Sequence, residues 1–184
     1  MNQAYHPRCF RDARTVALRK PGKENYTTMK VYHPIALLNT LGKTLESVMA
    51  QRFSYLVKTH KLLPDEQMGA RKLCGTETAL ELLTEQVHTI WGCGRDKVAS
   101  ILSLDVAGAF SNVSHPRLLH NLRKRQIPTD IIAWVESFLS QRTTTMVINR
   151  RHTGACTVRT GIPQRSPLSS ILFLFYNVNL IEWC

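Results

Sequence analysis

Asp105 closes an apolar, β-prone run from Val98 to Leu104, and the small residues Ala107, Gly108 and Ala109 follow it before Phe110. A lone carboxylate at the end of a buried strand is costly unless it is solvated, paired or bound to metal. A hard cation such as Mg²⁺ takes oxygen ligands and binds through one or two carboxylates plus substrate phosphates. Asp105 is therefore a candidate metal ligand, and a strand-end aspartate capping a turn is the competing reading. Arg150 and Arg151 fall at the tip of an expected hairpin, where guanidinium groups either touch backbone phosphates or are solvated. A net charge of +11 points to a polyanionic partner, with no sequence preference implied. The five cysteines are scattered and form no C-x-x-C pair, which argues against a zinc site or a disulfide framework and fits a reducing compartment. No Ser/His/Asp or Cys/His signature supports a hydrolase.

Those residues need a scaffold, and 184 residues with 43% hydrophobic content suit one domain, or one and a half, with a buried core. Val16 to Leu18 reads as a short strand, and Pro21-Gly22 as a turn. Thr40 is placed to cap a helix running to about His60, with Leu41, Leu45, Val48, Met49, Arg52 and Leu56 on its apolar stripe. Thr76 is placed to cap the next helix, whose stripe is Leu80, Leu83, Val87, Ile90 and Trp91. A buried central strand is expected over Val98 to Leu104. A helix with Leu118, Leu119 and Leu122 inward follows, then one starting at Pro128 and buried through Ile131, Trp134, Val135 and Phe138. Thr143 to Ile148 and Cys156 to Arg159 read as a hairpin. Ser166 is the expected N-cap of a last helix, with Pro167 in its first position and almost no polar face. No apolar signal core follows the N-terminus, and Ile171 to Ile181 is too short to span a bilayer. The expected location is intracellular, nuclear or cytoplasmic, without a membrane.

The stretch Ser100 to Val113 resembles the first palm motif of reverse transcriptases of non-LTR (LINE-like) retrotransposons. Four other segments follow that family's order: Tyr32 to Glu46, Leu63 to Arg71 with Gly75-Thr76, the helical link Leu118 to Leu139, and Gly161 to Ser170, where the family reads G-x-P-Q-G-S-P-L-S-P. Lys20-Pro-Gly-Lys23 also matches the family's K-P-G-K. The resemblance covers roughly residues 25 to 184. It implies an α+β fold, a partial right-hand polymerase with helices on a small, mainly antiparallel sheet. Residues 1–97 would be a fingers-like segment and 98–184 a partial palm. It implies Mg²⁺ at Asp105, nucleotide contacts from Phe110, Gln164 and Arg71, and phosphate contacts from Lys20 and Lys23. Phe110 stands where the family excludes a ribose 2′-hydroxyl. The implied partners are an RNA template, a DNA primer and deoxynucleotides.

Departures from the pattern shape the functional expectation. The family's later F/Y-x-D-D motif is absent, no Asp-Asp pair occurs in the sequence, and the chain is read as truncated after the second palm motif. Ser111 replaces an aspartate, Arg165 a glycine, Ser170 a proline and His33 an arginine. A side chain at position 165 costs roughly 1–2 kcal/mol if φ there is positive. The expected function is an RNA-directed DNA polymerase fragment that is inactive alone. The alternatives are a non-catalytic basic nucleic-acid-binding module, or an inert retroelement remnant whose last helix lacks cover.

Overall fold

The computed structural model describes residues 4–71, 75–94, 97–148 and 151–182. In chain order it contains β1 (Asp12–Arg19), β2 (Tyr32–Leu37), α1 (Thr40–His60), α2 (Thr76–Gly92), α3 (His115–Lys124), α4 (Thr129–Leu139), β3 (Arg142–Ile148), β4 (Arg151–Val158) and α5 (Pro167–Ile181). The fold is α+β. One mixed sheet has the order β2-β1-β3-β4. β1 pairs antiparallel with β2, β3 pairs antiparallel with β4, and the central β1–β3 pairing is parallel. The sheet thus joins two strands from the first half of the chain to two from the second.

The core lies among α1, α3, α4 and α5. Phe53 of α1 meets Phe175 of α5 edge to face, with ring centroids 5.7 Å apart. Leu118, Leu122, Val135, Phe138, Leu168, Leu172 and Val178 are fully buried around them. α5 starts as its sequence requires. Its N-cap is Ser166, whose hydroxyl accepts the Leu168 N–H at 3.2 Å, and Pro167 occupies its first turn. The expectation that this apolar helix lacks cover is overturned: α1 and α3 pack against it. Asn121 on α3 donates from Nδ2 to the carbonyls of Phe175 and Tyr176, and Gln67 donates to the Leu174 carbonyl at 2.9 Å.

Other expectations are corrected. Val98 to Leu104 forms no strand, and Asp105 does not terminate one. Strand geometry is fixed by hydrogen bonds to a neighbour, and β2-β1-β3-β4 takes up none of this run; Leu102 is 83% exposed. The cap of α1 is Asn39, whose Oδ1 accepts the Gly42 N–H; Thr40 is already helical. The cap of α2 is Gly75, with no side-chain bond, so Thr76 is also one residue inside. No residue of α2 is buried, and Trp91, expected in the core, is 58% exposed. The buried face of α1 is Gly42, Glu46, Met49, Phe53 and Val57. That face is turned by one residue from the apolar stripe, and it carries Glu46 into a buried polar cluster.

The other charged or titratable members of that cluster are His6, Arg11 and Arg142. The His6 ring is fully buried between Trp134 and Phe138, and its Nε2 lies 3.9 Å from Glu46 Oε1. Burial, then Arg142 and Arg11, lower the His6 pKa to about 4. Burial pushes the Glu46 carboxyl up, while the Ser166 hydroxyl, Arg142 and Lys43 pull it back. Burial lowers Arg142 to about 10, opposed by Glu46. Arg11 donates to the His6 carbonyl and to the Ser137 and Ser140 hydroxyls, tying residues 6–11 to α4.

Candidate nucleotide site

Two segments far apart in sequence are clasped together. The chain after Asp105 turns at Gly108, whose φ is +63°, and returns through Phe110 to Val113. The Ile162 N–H donates to the Phe110 carbonyl at 2.8 Å, and the Gly161 N–H donates to the Val113 carbonyl at 2.8 Å. His115, on the first turn of α3, closes the clasp: its Nε2 lies 2.7 Å from the Gly161 carbonyl oxygen. A carbonyl only accepts, so Nε2 carries the proton. Gly161 has φ +83°, and a Cβ there would stand 2.7 Å from the Ser111 carbonyl oxygen. Glycine alone permits this approach.

The clasp brings Phe110 and Gln164 onto neighbouring backbone. Phe110 is half-buried and stacks on Phe173 of α5, with centroids 5.2 Å apart and planes 28° apart. Gln164 lines a cavity of about 200 Å³ between this clasp and the sheet face. Ser111, Thr15, Pro34, Arg142 and Thr144 share the lining. Thr15 and Thr144 are bonded hydroxyl to hydroxyl at 2.8 Å across the parallel pair. Arg165 adopts φ +66°, the conformation for which the family pattern keeps glycine. Its side chain is exposed and is not part of the cavity lining, so it leaves that space open.

The remaining sequence candidates are dispersed. Asp105 is exposed. Among the described residues no group of three or more His, Cys, Asp and Glu converges. One exposed carboxylate does not fit a two-metal centre, which needs several carboxylates on one site. Lys20 and Lys23 lie in the β1–β2 connection. Lys20 is anchored through its backbone, its N–H donating to Val31 and its carbonyl accepting the Tyr26 hydroxyl; Lys23 is exposed. Arg71 donates to the carbonyls of Pro64 and Gln67 and faces a different cavity. Arg151 is exposed at the start of β4, and Arg150 lies outside the described residues. Sequence reasoning missed His115 and Arg142. His115 carried only the signal of a helix start before Pro116, and Arg142 only that of a charge beside a β-branched run.

The decisive comparison is with the family of reverse transcriptases (RNA-dependent DNA polymerases), whose model matches residues 18–183. The chain belongs to the reverse transcriptase family. Its curated relatives are polymerases of non-LTR retrotransposons. It is 29% identical over 178 residues to the RNA-directed DNA polymerase from mobile element jockey of Drosophila melanogaster, covering 94% of this chain and 18% of the relative. It is 26% identical over 176 residues to a probable RNA-directed DNA polymerase from transposon BS of the same fly, covering 96% and 19%. A Pol polyprotein from the R2 element of Popillia japonica is 28% identical over 143 residues, covering 77% and 19%. The reverse transcriptase chain thus spans about a fifth of the length of the curated relatives it matches. Reverse transcriptases as a family use divalent metal ions. Among the described residues no helix is long and apolar enough to cross a membrane.

Proposed function

We propose that this chain supplies the fingers (1–97) and the first half of the palm (98–184) of an RNA-directed DNA polymerase. Its substrates would be deoxynucleotides, a DNA primer and an RNA template, handled inside the cell. The clasp between Phe110–Val113 and Gly161–Ile162 carries this reading, because it sets Gln164 and Ser111 around one cavity beside Phe110. In this role the Phe110 ring walls off a ribose 2′-hydroxyl. The Gln164 amide offers both a donor and an acceptor to a nucleotide. Lys20, Lys23 and Arg151 neutralise phosphates, as the +11 charge suits. Mg²⁺ would supply charge neutralisation at the reacting phosphates. Asp105 would be one of its oxygen donors, and by itself does not hold a metal pair. The purified chain therefore binds nucleic acid without extending a primer.

The second reading, a non-catalytic nucleic-acid binder, draws on the same charge and the single carboxylate. Primer extension on an RNA template, with the chain and its Asp105→Ala variant, separates the two from an active enzyme. The expected result is salt-sensitive primer–template binding with no extension by either form. Extension abolished by Asp105→Ala would overturn the expected inactivity. Absence of binding even at low salt would remove both readings.

A further inference from the structure

One peptide group in the clasp is held at both ends. The peptide between Gly161 and Ile162 presents its carbonyl oxygen to His115 Nε2 at 2.7 Å, and its N–H donates to the Phe110 carbonyl at 2.8 Å. The preceding peptide offers the Gly161 N–H to the Val113 carbonyl, also at 2.8 Å. Of these three bonds, only the one from His115 uses a side chain. Gly161, Ile162, Pro163 and Gln164 form an unbroken stretch of the cavity lining, so the orientation of that peptide shapes the wall.

That stretch has one soft joint. A planar peptide group turns as a unit about the single bonds on either side of it, and glycine resists such turning least. Beyond Gly161, Pro163 has a fixed φ and keeps Ile162 extended, and Ser166 is tied into α5 as its N-cap. The slack is therefore concentrated at Gly161. A turned peptide would point the Ile162 N–H away from the Phe110 carbonyl and release the first motif from the second. His115 opposes this by holding the other end of the same peptide. It stands on a rigid mount, the first turn of α3, whose Leu118 and Leu122 are fully buried and whose Asn121 donates to two carbonyls of α5. A histidine that only started a helix would need no partner 46 positions away. We propose that His115 is a positioning residue for sugar selection. Its bond to the Gly161 carbonyl locks the Gly161–Ile162 peptide, which fixes Phe110 relative to Gln164 and sets the preference of the cavity for a deoxyribose over a ribose. The inference rests on the polymerase reading for the class of ligand, and on the geometry alone for the lock.

The test titrates the full chain with dATP and with ATP, in Mg²⁺ and a polyuridylate template carrying an oligodeoxyadenylate primer. The two nucleotides differ only at the 2′ position, so the ratio of their affinities reads the sugar alone. His115→Asn withdraws the donor and His115→Leu removes it, whereas the longer amide of His115→Gln reaches the same carbonyl. Asn and Leu lower the preference for dATP at least about three-fold, the worth of one hydrogen bond, and Gln keeps it within about two-fold. Amide hydrogen exchange on the same samples reads the lock directly. Exchange of the Ile162 N–H accelerates at least about three-fold relative to that of Leu122 in Asn and Leu, and not in Gln. A merely structural histidine would move the melting temperature and leave the ratio alone. Nucleotide binding with a ratio unmoved by Asn and Leu, or moved equally by Gln, overturns this inference and spares the polymerase reading. An accelerated Ile162 N–H with an unmoved ratio overturns it equally, because the bond then only stabilises the fold. A native chain that holds neither nucleotide removes the polymerase reading and the inference together.

Discussion

A methyl group at position 161 would sit 2.7 Å from one carbonyl oxygen and 2.9 Å from another. The backbone there is also left-handed, which costs a side chain roughly 1–2 kcal/mol before any collision. Gly161→Ala should therefore destabilise the chain by at least about 2 kcal/mol in urea titrations, with both motifs loosened together. Position 165 is the mirror case. Arg165 holds φ +66° with an exposed side chain, so Arg165→Gly should relieve strain and gain up to about 1 kcal/mol in the same titration. That conformation was legible in the sequence, because a glycine in the family pattern signals backbone freedom. The orientation of the Arg165 side chain was not, since it depends on space that only the folded clasp defines. His115 was equally hidden: a histidine before Pro116 looks like a helix start until Gly161 is seen opposite it.

At the level of elements, helix positions were read well, but the burial of α2 and the central strand were not. α5 announces itself through Ser166, Pro167 and an unbroken apolar run, all local signals. Phe175→Ala, which removes a fully buried ring from the contact with Phe53, should cost about 3–5 kcal/mol by chemical denaturation. Val98 to Leu104 has equally strong local composition, yet a strand exists only through a partner, and partnership is not local information. Leu102→Ser should shift stability by less than about 0.5 kcal/mol, because the side chain is already in solvent. A loss as large as that of a core residue would show that this segment is packed in solution. The stripe of α1 failed more subtly. Periodicity located its apolar face to within one residue, but not the rotation that buries Glu46 beside His6.

For the molecule as a whole, the buried polar cluster ties stability to pH. His6 titrates at about 4 when folded and near 6.5 when unfolded, so folding favours its neutral form. Its contribution is intact above pH 6.5 and is lost as pH falls toward 4, by at most about 3 kcal/mol. Glu46 works in the opposite direction, since its raised pKa favours the protonated form and penalises folding as pH rises above the usual carboxylate range. Thermal melting from pH 7 to 5 should therefore drop more steeply for the native chain than for His6→Phe; equal slopes would remove His6 as the cause. The parallel pairing at the centre of the sheet has another consequence. Asp12 bonds Thr143, 131 positions later in the chain. At ribosomal rates of roughly 5–20 residues per second, β1 waits on the order of ten seconds for β3 to be synthesised. Until then β1 and β2 exist only as an isolated hairpin, which is marginally stable in water. Its unpaired edge is open to any other strand nearby. Contacts of such high sequence separation also make folding slow. The nascent chain is thus most exposed to aggregation before residue 143 emerges, and a chaperone that shields that hairpin edge during translation should raise the yield of folded protein.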